Sequence, residues 1–439
     1  MRAYLRGRAL RCGASEFAVR ARGASALGAM WDPQGEAAFV TDAGSSERTG
    51  SSASEPRDDS RRTSSRAIFR RLPDLARGLA WIPLGEFPTP VQFLERLGKP
   101  YEERSGTNLF VKRDDLSHPG YGGNKVRKFE FVLGKALTER ASCLATAGGW
   151  GSHHALATAF FARQLGLSSR LYLFPQPVTE HVRRQLLAMF GCGASLFARS
   201  RPSLAYLSLA ATSLGRAGRP FAIPPGGSTP EGILGYVDAG LELAEQVERG
   251  EAPRPDAVVV ALGSGGTAAG LALGLALGGI DAEVLAVGIT TPLVANLPYV
   301  EWLHRRALNL LRAHLSASEM TALTHPRLRV VQGFLGRGYG YPSAAGAAAA
   351  KRALTTEGLP LEPTYTAKAM AALLSFASES AAGKTYLFWD TFSSRPIDPL
   401  IDGASIRDLP ADLRIAVQRA RRQSGREPNP APGGPRPPG

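Results

Sequence analysis

Residues 257 to 277 read AVVVALGSGGTAAGLALGLAL. The first six, Ala257 to Leu262, form a short valine-rich run with the length and composition of a fully buried strand. The run stops at the glycine-rich turn Gly263 to Gly266, and from Thr267 to Leu277 an apolar stretch follows that is long enough for a buried helix. Strand, tight turn and helix make half of a βαβ unit. Working outward, the same alternation recurs. Strands are expected over 109–112, 142–146, 170–174, 283–289 and 385–389, and helices over 124–137, 153–166, 179–190, 231–248, 343–357 and 366–380. This order predicts an α/β protein with two lobes, each a mainly parallel sheet flanked by helices.

The chain has 439 residues, 44% of them apolar, enough for roughly two to three domains. Its formal net charge of +14 would by itself suggest a polyanion partner. Residues 1–71 hold thirteen Arg, no Lys and eight acidic residues, and residues 411–439 hold six Arg and two acidic residues. Most of the excess is therefore terminal. Neither end has a sustained apolar period or interleaved aromatics, so no nucleic-acid partner is expected. The segment 1–71 is expected to be disordered, 72–408 to form the catalytic region with a smaller lobe inserted at about 142–230, and 409–439 to be a flexible tail rich in Pro and Arg. No apolar run is long enough to span a membrane. The first thirty residues lack the apolar stretch of a secretory signal, and their Arg-rich character leaves a transit peptide or a start codon upstream of the domain as alternatives. Cys12, Cys143 and Cys192 are too few for a disulfide framework or a multi-cysteine metal site, so a cytoplasmic protein without a metal is expected.

Ligands of parallel sheets gather beyond the carboxyl ends of strands. In KRDDLSHPGYGGNKVRK, residues 112 to 128, Asn124 is a candidate N-cap and Lys125 stands in the first helical turn. The positive end of the helix dipole there favours a neutral, nucleophilic amine. A solvated basic stretch of Lys125, Arg127 and Lys128 is the alternative. In AGGWGSHH, residues 147 to 154, Ser152 can cap a helix and offer a hydroxyl beside free N–H groups; an ordinary cap followed by two surface histidines is the alternative. Gly263, Ser264, Gly265, Gly266 and Thr267 suit a phosphate cradle. Gly263, Gly265 and Ala268 also match a dinucleotide pattern, but the next strand ends LAVGITTP without an acid for a ribose hydroxyl. Tyr339 in GRGYGYP and Tyr365 in EPTYTAK are loop phenols suited to stacking or proton transfer.

Together these segments resemble the fold type II pyridoxal-phosphate enzymes, specifically the group of 1-aminocyclopropane-1-carboxylate deaminase and D-cysteine desulfhydrase. The resemblance runs in family order from FPTP (87–90) through PPGGSTPEGILGY (224–236) and the glycine loop to about residue 400. It implies pyridoxal 5'-phosphate bound through Lys125, a catalytic Ser152 near the substrate carboxylate, a phosphate loop from Gly263 to Thr267, and Tyr339 and Tyr365 as paired active-site tyrosines. Asn124, His153, Thr366 and Thr391 complete the expected cofactor contacts. A homodimer acting on a small amino acid is also implied.

Three departures stand out against that resemblance. The residue after the second tyrosine is Thr366 where the cyclopropane deaminase has a glutamate, and a hydroxyl weakens the electron sink. That favours D-cysteine and an α,β-elimination to pyruvate, ammonia and sulfide, with the deaminase reaction as the alternative. A family asparagine is replaced by His153, and the closing motif is WDTFSS (389–394), in which only Thr391 matches. Altered or lost turnover on a retained cofactor site is a further alternative.

Overall fold

The computed structural model describes residues 66–212, 220–380, 383–401 and 403–424. Among them ten strands run in chain order as β1 (Val91–Phe93), β2 (Asn108–Lys112), β3 (Cys143–Gly149), β4 (Ser168–Phe174), β5 (Ser195–Ala198), β6 (Pro220–Ala222), β7 (Ala257–Leu262), β8 (Glu283–Gly288), β9 (Leu328–Val331) and β10 (Thr385–Trp389). The larger sheet has the order β1-β2-β10-β7-β8-β9 and the smaller one β5-β4-β3-β6. Only β1 runs antiparallel to its neighbour; the other pairings are parallel.

Parallel strands are buried on both faces, which explains the unbroken valines of β7. Val258 and Val260 face a core formed with the helices Pro230–Glu248, Gly266–Leu277 and Leu297–Leu311. Val259 faces the opposite layer, where Leu97, Ala353 and Leu373 pack from the helices Glu95–Ser105, Ala344–Glu357 and Thr366–Glu379. In the smaller sheet, Leu144, Leu171 and Leu196 pack under the helices His153–Gln164 and Glu180–Gly191. The predicted α/β architecture with two mainly parallel sheets is present. The short strands β1, β5, β6 and β9 and the helices Glu95–Ser105, Pro202–Thr212 and Leu297–Leu311 were not predicted. Pro100 inside the first of these helices, and Pro220 at the start of β6, mask their periods.

Both terminal expectations need correction within the described residues. Ala67–Arg71 is a helix rather than disordered chain. Ile68 and Phe69 are fully buried in the large-sheet core, and Arg66 pairs with buried Glu130. Burial of two large apolar side chains offsets the ordering entropy that the surrounding composition argued against. At the other end Ala411–Ser424 is a helix, and Leu409, Leu413 and Val417 join the small-lobe core. The remaining residues of both end segments lie outside the described residues.

A buried ionic network fixes the helix Asn124–Thr138 against the large sheet. Arg127 donates to Asp114 at 2.8 Å and to Glu242 at 2.9 Å. Lys112 donates to Glu242 at 2.6 Å, and Tyr236 and Trp389 both donate to Asp114. Burial opposes ionisation of Glu242, yet Arg127 and Lys112 hold its carboxyl well below the usual range. Such pairs are costly to break because removal of one partner strands a buried charge.

Candidate active site

A cavity of about 440 Å³ opens where loops from both sheets meet. Its floor begins at Gly123, whose φ of +89° precedes the helix bearing Lys125. A Cβ at Gly123 would lie 2.7 Å from the Phe392 carbonyl and 2.8 Å from that of Thr391, so only glycine lets these two loops meet. The helix starts at Asn124 as expected, but the N-cap position is Gly123 and Asn124 is not the cap. Its side chain is free for other work. Asn124 Oδ1 accepts from Lys125 Nζ at 2.6 Å, and its Nδ2 donates to Thr267 at 3.2 Å. The Asn124 backbone N–H donates to the Thr391 carbonyl at 3.1 Å.

The alternative of a solvated basic stretch fails. Arg127 and Lys128 are buried, and Lys125 lines the cavity. Burial pulls the Lys125 amine down to about 8, because desolvation penalises the charged form.

Lys128, one turn on from Lys125, was not singled out by the sequence. Its amine donates to the Gly226 carbonyl at 3.2 Å and Ser228 Oγ at 3.4 Å. Among the described residues it has no carboxylate within ion-pair distance, and burial followed by the neighbouring Lys125 holds it well below the ordinary lysine range. It borders the glycine loop: a Cβ on Gly266 would lie 3.0 Å from its Nζ. In that loop Gly265 takes φ +81°, and Ser228 Oγ accepts from the Gly266 N–H at 3.3 Å and meets Ser264 Oγ at 2.8 Å. A buried amine without a carboxylate partner, two hydroxyls and the start of the twelve-residue helix Gly266–Leu277 fit a phosphate dianion, whose charge would favour the protonated amine.

The small sheet supplies the facing wall. Ser152 caps the helix His153–Gln164, its Oγ accepting from the Ala155 N–H at 3.2 Å. The two histidines that follow are not on the surface. His154 is buried and within 3.0 Å of Thr146 Oγ1, a structural contact. His153 lines the cavity, its ring 5.3 Å from and perpendicular to that of Phe392, and its Nδ1 is 3.2 Å from the Gln185 amide. Burial, then His181 and Lys125, push its basicity well down.

On the third side the hydroxyls of Tyr339 and Tyr365 meet at 2.5 Å. Burial pushes Tyr339 up to about 12 and Tyr365 well above its ordinary value, so both stay neutral and protonated at physiological pH. Thr366 Oγ1 accepts from the Glu362 N–H at 2.8 Å. Glu362, which the sequence reading passed over, is buried in the cavity wall; its two oxygens accept from the N–H groups of Thr364 and Tyr365 at 2.7 and 2.9 Å. The cavity lining brings together Lys125, Asn124, Ser152, His153, Gly263, Ser264, Gly265, Thr267, Tyr339, Tyr365, Thr366 and Thr391. Gly266 stands just behind it.

A buried lysine of lowered basicity beside a phosphate cradle, at the carboxyl ends of two parallel sheets, defines a pyridoxal-phosphate enzyme. A family model described as pyridoxal-phosphate dependent enzyme matches residues 82–391, and the chain belongs to that family. It is similar to a D-cysteine desulfhydrase of Klebsiella pneumoniae, 36% identical over 295 residues that span 65% of this chain and 85% of the relative. A second Klebsiella pneumoniae strain supplies a relative of the same name, identity and coverage. Among solved structures, one titled an ACC deaminase homologue superposes with a TM-score of 0.62 at 29% identity, covering 80% of this chain and 99% of that one. A threonine deaminase isoform of Solanum lycopersicum, at TM-score 0.50 and 14% identity over 81% of this chain and 88% of the other, shares the fold. The protein is thus a fold type II enzyme whose cofactor is pyridoxal phosphate, and the residues around the cavity fit that group. No helix of the described residues is long and apolar enough to cross a membrane.

Proposed function

We propose that this enzyme eliminates the β-substituent of a small amino acid, D-cysteine or a close relative, to give pyruvate, ammonia and sulfide. The observation that carries the choice is Thr366: a hydroxyl committed to the Glu362 backbone lines the cavity where the cyclopropane deaminase is expected to carry a glutamate. The relatives named D-cysteine desulfhydrase support the same reading. Deamination of 1-aminocyclopropane-1-carboxylate is the second reading, favoured by the similar structure titled an ACC deaminase homologue.

In this proposal Lys125 holds the cofactor, and its amine, brought to about 8, takes the proton from the substrate α-carbon. The bound cofactor supplies the electron sink. Lys128, the glycine loop from Gly263 to Gly266, and Thr267 hold the phosphate, while Asn124, His153, Thr366 and Thr391 border the ring. Ser152 and the free N–H groups at its helix start bind the substrate carboxylate. Tyr339 and Tyr365 share one hydrogen bond and deliver a proton from a neutral phenol. Phe174 and Phe392 line the cavity with apolar surface and limit water.

The test is a panel of D- and L-cysteine, D- and L-serine and the cyclopropane amino acid, offered to the cofactor-loaded protein with pyruvate, sulfide and ammonia measured. Sulfide and pyruvate from D-cysteine, lost in Lys125→Ala, support the first reading. Turnover of the cyclopropane substrate alone selects the second, and no product from any of them overturns both.

We also propose a cytoplasmic homodimer. Leu293, Leu297 and Trp302, close in the chain, are exposed apolar side chains of the kind that a partner covers. Both cysteines of the described residues are free, in keeping with a reducing compartment. Light scattering at micromolar concentration checks the first point; a monomer mass sinks it.

A further inference from the structure

Beside Tyr365, His153 at the cofactor site meets two groups, His181 and Glu362, to which the elimination gives no role. His153, His181 and Glu362 converge there, with one ligand atom of each within 4.8 Å of the others. They come from three separate elements: the first turn of the helix His153–Gln164, the first turn of Glu180–Gly191, and the loop before Thr366–Glu379. The Nε2 atoms of both imidazoles are buried without a hydrogen-bond partner. Buried polar atoms nearly always find one, so two orphaned nitrogens beside a carboxylate call for an occupant.

We infer that His153, His181 and Glu362 form a binding site for one divalent first-row transition ion, zinc being the simplest case. Two imidazoles and a carboxylate are the donor set that such ions take. Glu362 is held by the N–H groups of Thr364 and Tyr365, and each of its oxygens keeps a lone pair to donate. The Gln185 amide nitrogen lies 3.2 Å from His153 Nδ1, while its Oε1 is buried without a partner; turning the amide over would let that oxygen accept the Nδ1 proton, the outer-shell contact that leaves Nε2 for a metal. Zinc bonds of about 2.0–2.1 Å set tetrahedral ligands roughly 3.3 Å apart. Side-chain adjustment on the order of 1 Å closes the cluster to that size. Three protein ligands leave a fourth position, and His153 and Glu362 both line the cavity. Cys-based spacing gave no hint of this site in the sequence, where no metal was expected.

The test uses the full-length, cofactor-loaded protein after treatment with a chelator. Zinc chloride is titrated by calorimetry, bound metal is counted by mass spectrometry, and cobalt(II) serves as a visible probe of coordination. One equivalent per chain is expected, with affinity falling more than about 100-fold in His181→Ala, since losing a ligand exceeds the cost of losing an outer-shell partner. His181→Cys restores binding, and thermal melts establish that each variant is folded. Less than about a tenth of an equivalent in the parent protein overturns the site, because a metal ion binds at a defined stoichiometry. So does unchanged affinity in folded His181→Ala or in Glu362→Gln. The readout is metal content, so it stands whatever substrate the enzyme turns over.

Discussion

The hydroxyls of Tyr339 and Tyr365 meet at 2.5 Å with their rings 6.0 Å apart and nearly perpendicular. One phenol therefore donates to the other, a single proton of the pair is left to give, and the two should behave as one unit. Either Tyr339→Phe or Tyr365→Phe is expected to lower kcat by about 10²–10⁴, the usual worth of a placed proton donor. The double variant should lose little beyond the worse single one. Steady-state kinetics on the three proteins decides; fully additive losses would show that the phenols act separately.

Lys125 gives a pH prediction. Burial favours its neutral form, so the amine titrates at about 8 rather than at the ordinary 10.5. Borohydride trapping of cofactor on Lys125 in the cofactor-free protein should rise with pH and level off above about 8, followed by peptide mass spectrometry. An exposed lysine of the same protein would still be rising there. The linkage has the matching sign: between about 8 and 10.5 the unfolded chain binds the extra proton, so this group's contribution to stability grows as pH increases.

Lys128→Met separates binding from folding. The amine is buried without a carboxylate partner, so replacing it with an apolar chain of similar length should raise the melting temperature of the cofactor-free protein. The same change should weaken cofactor affinity by at least about tenfold, because a charge-assisted contact to phosphate is lost. A variant that melts lower and binds equally well would remove Lys128 from the phosphate site.

A chain that begins at residue 72 should be markedly less stable. It loses the buried Ile68 and Phe69, worth about 1.5–3 kcal/mol each, and leaves Glu130 without the Arg66 guanidinium. Urea unfolding of the shortened and full-length proteins measures the difference. A chain beginning at residue 66 serves as the reference that isolates the contribution of residues 66–71.

Much of the architecture was legible because parallel strands and their covering helices advertise themselves. Val258 to Val260 could hardly be anything but buried, and glycines mark the turns at Gly123 and Gly265 where two backbones approach. Lys125, Ser152 and the two tyrosines were legible as candidates: Ser152 and Tyr339 each directly follow a glycine, and Lys125 and Tyr365 stand two residues past a glycine and a proline. Lys128 was not, since its role depends on the Gly226–Ser228 segment about a hundred residues away, although its spacing of three from Lys125 put both on one helix face. Glu362, His181 and Gln185 gave no local sign at all; only the tertiary fold brings them to His153. The helix Ala67–Arg71 was hidden by the Arg- and Ser-rich composition around it, because composition averages over a window wider than the five residues that pack.

The C-terminal helix Ala411–Ser424 packs beside β5, the outermost strand on one side of the small sheet. Asp412 accepts the Ala198 N–H at 3.3 Å, so a carboxylate occupies a main-chain donor that another strand would otherwise seek. An open sheet margin is a template for unwanted strand addition between molecules. The segment that composition marked as a tail thus lies over that margin, where it would obstruct pairing between the small lobes of two molecules.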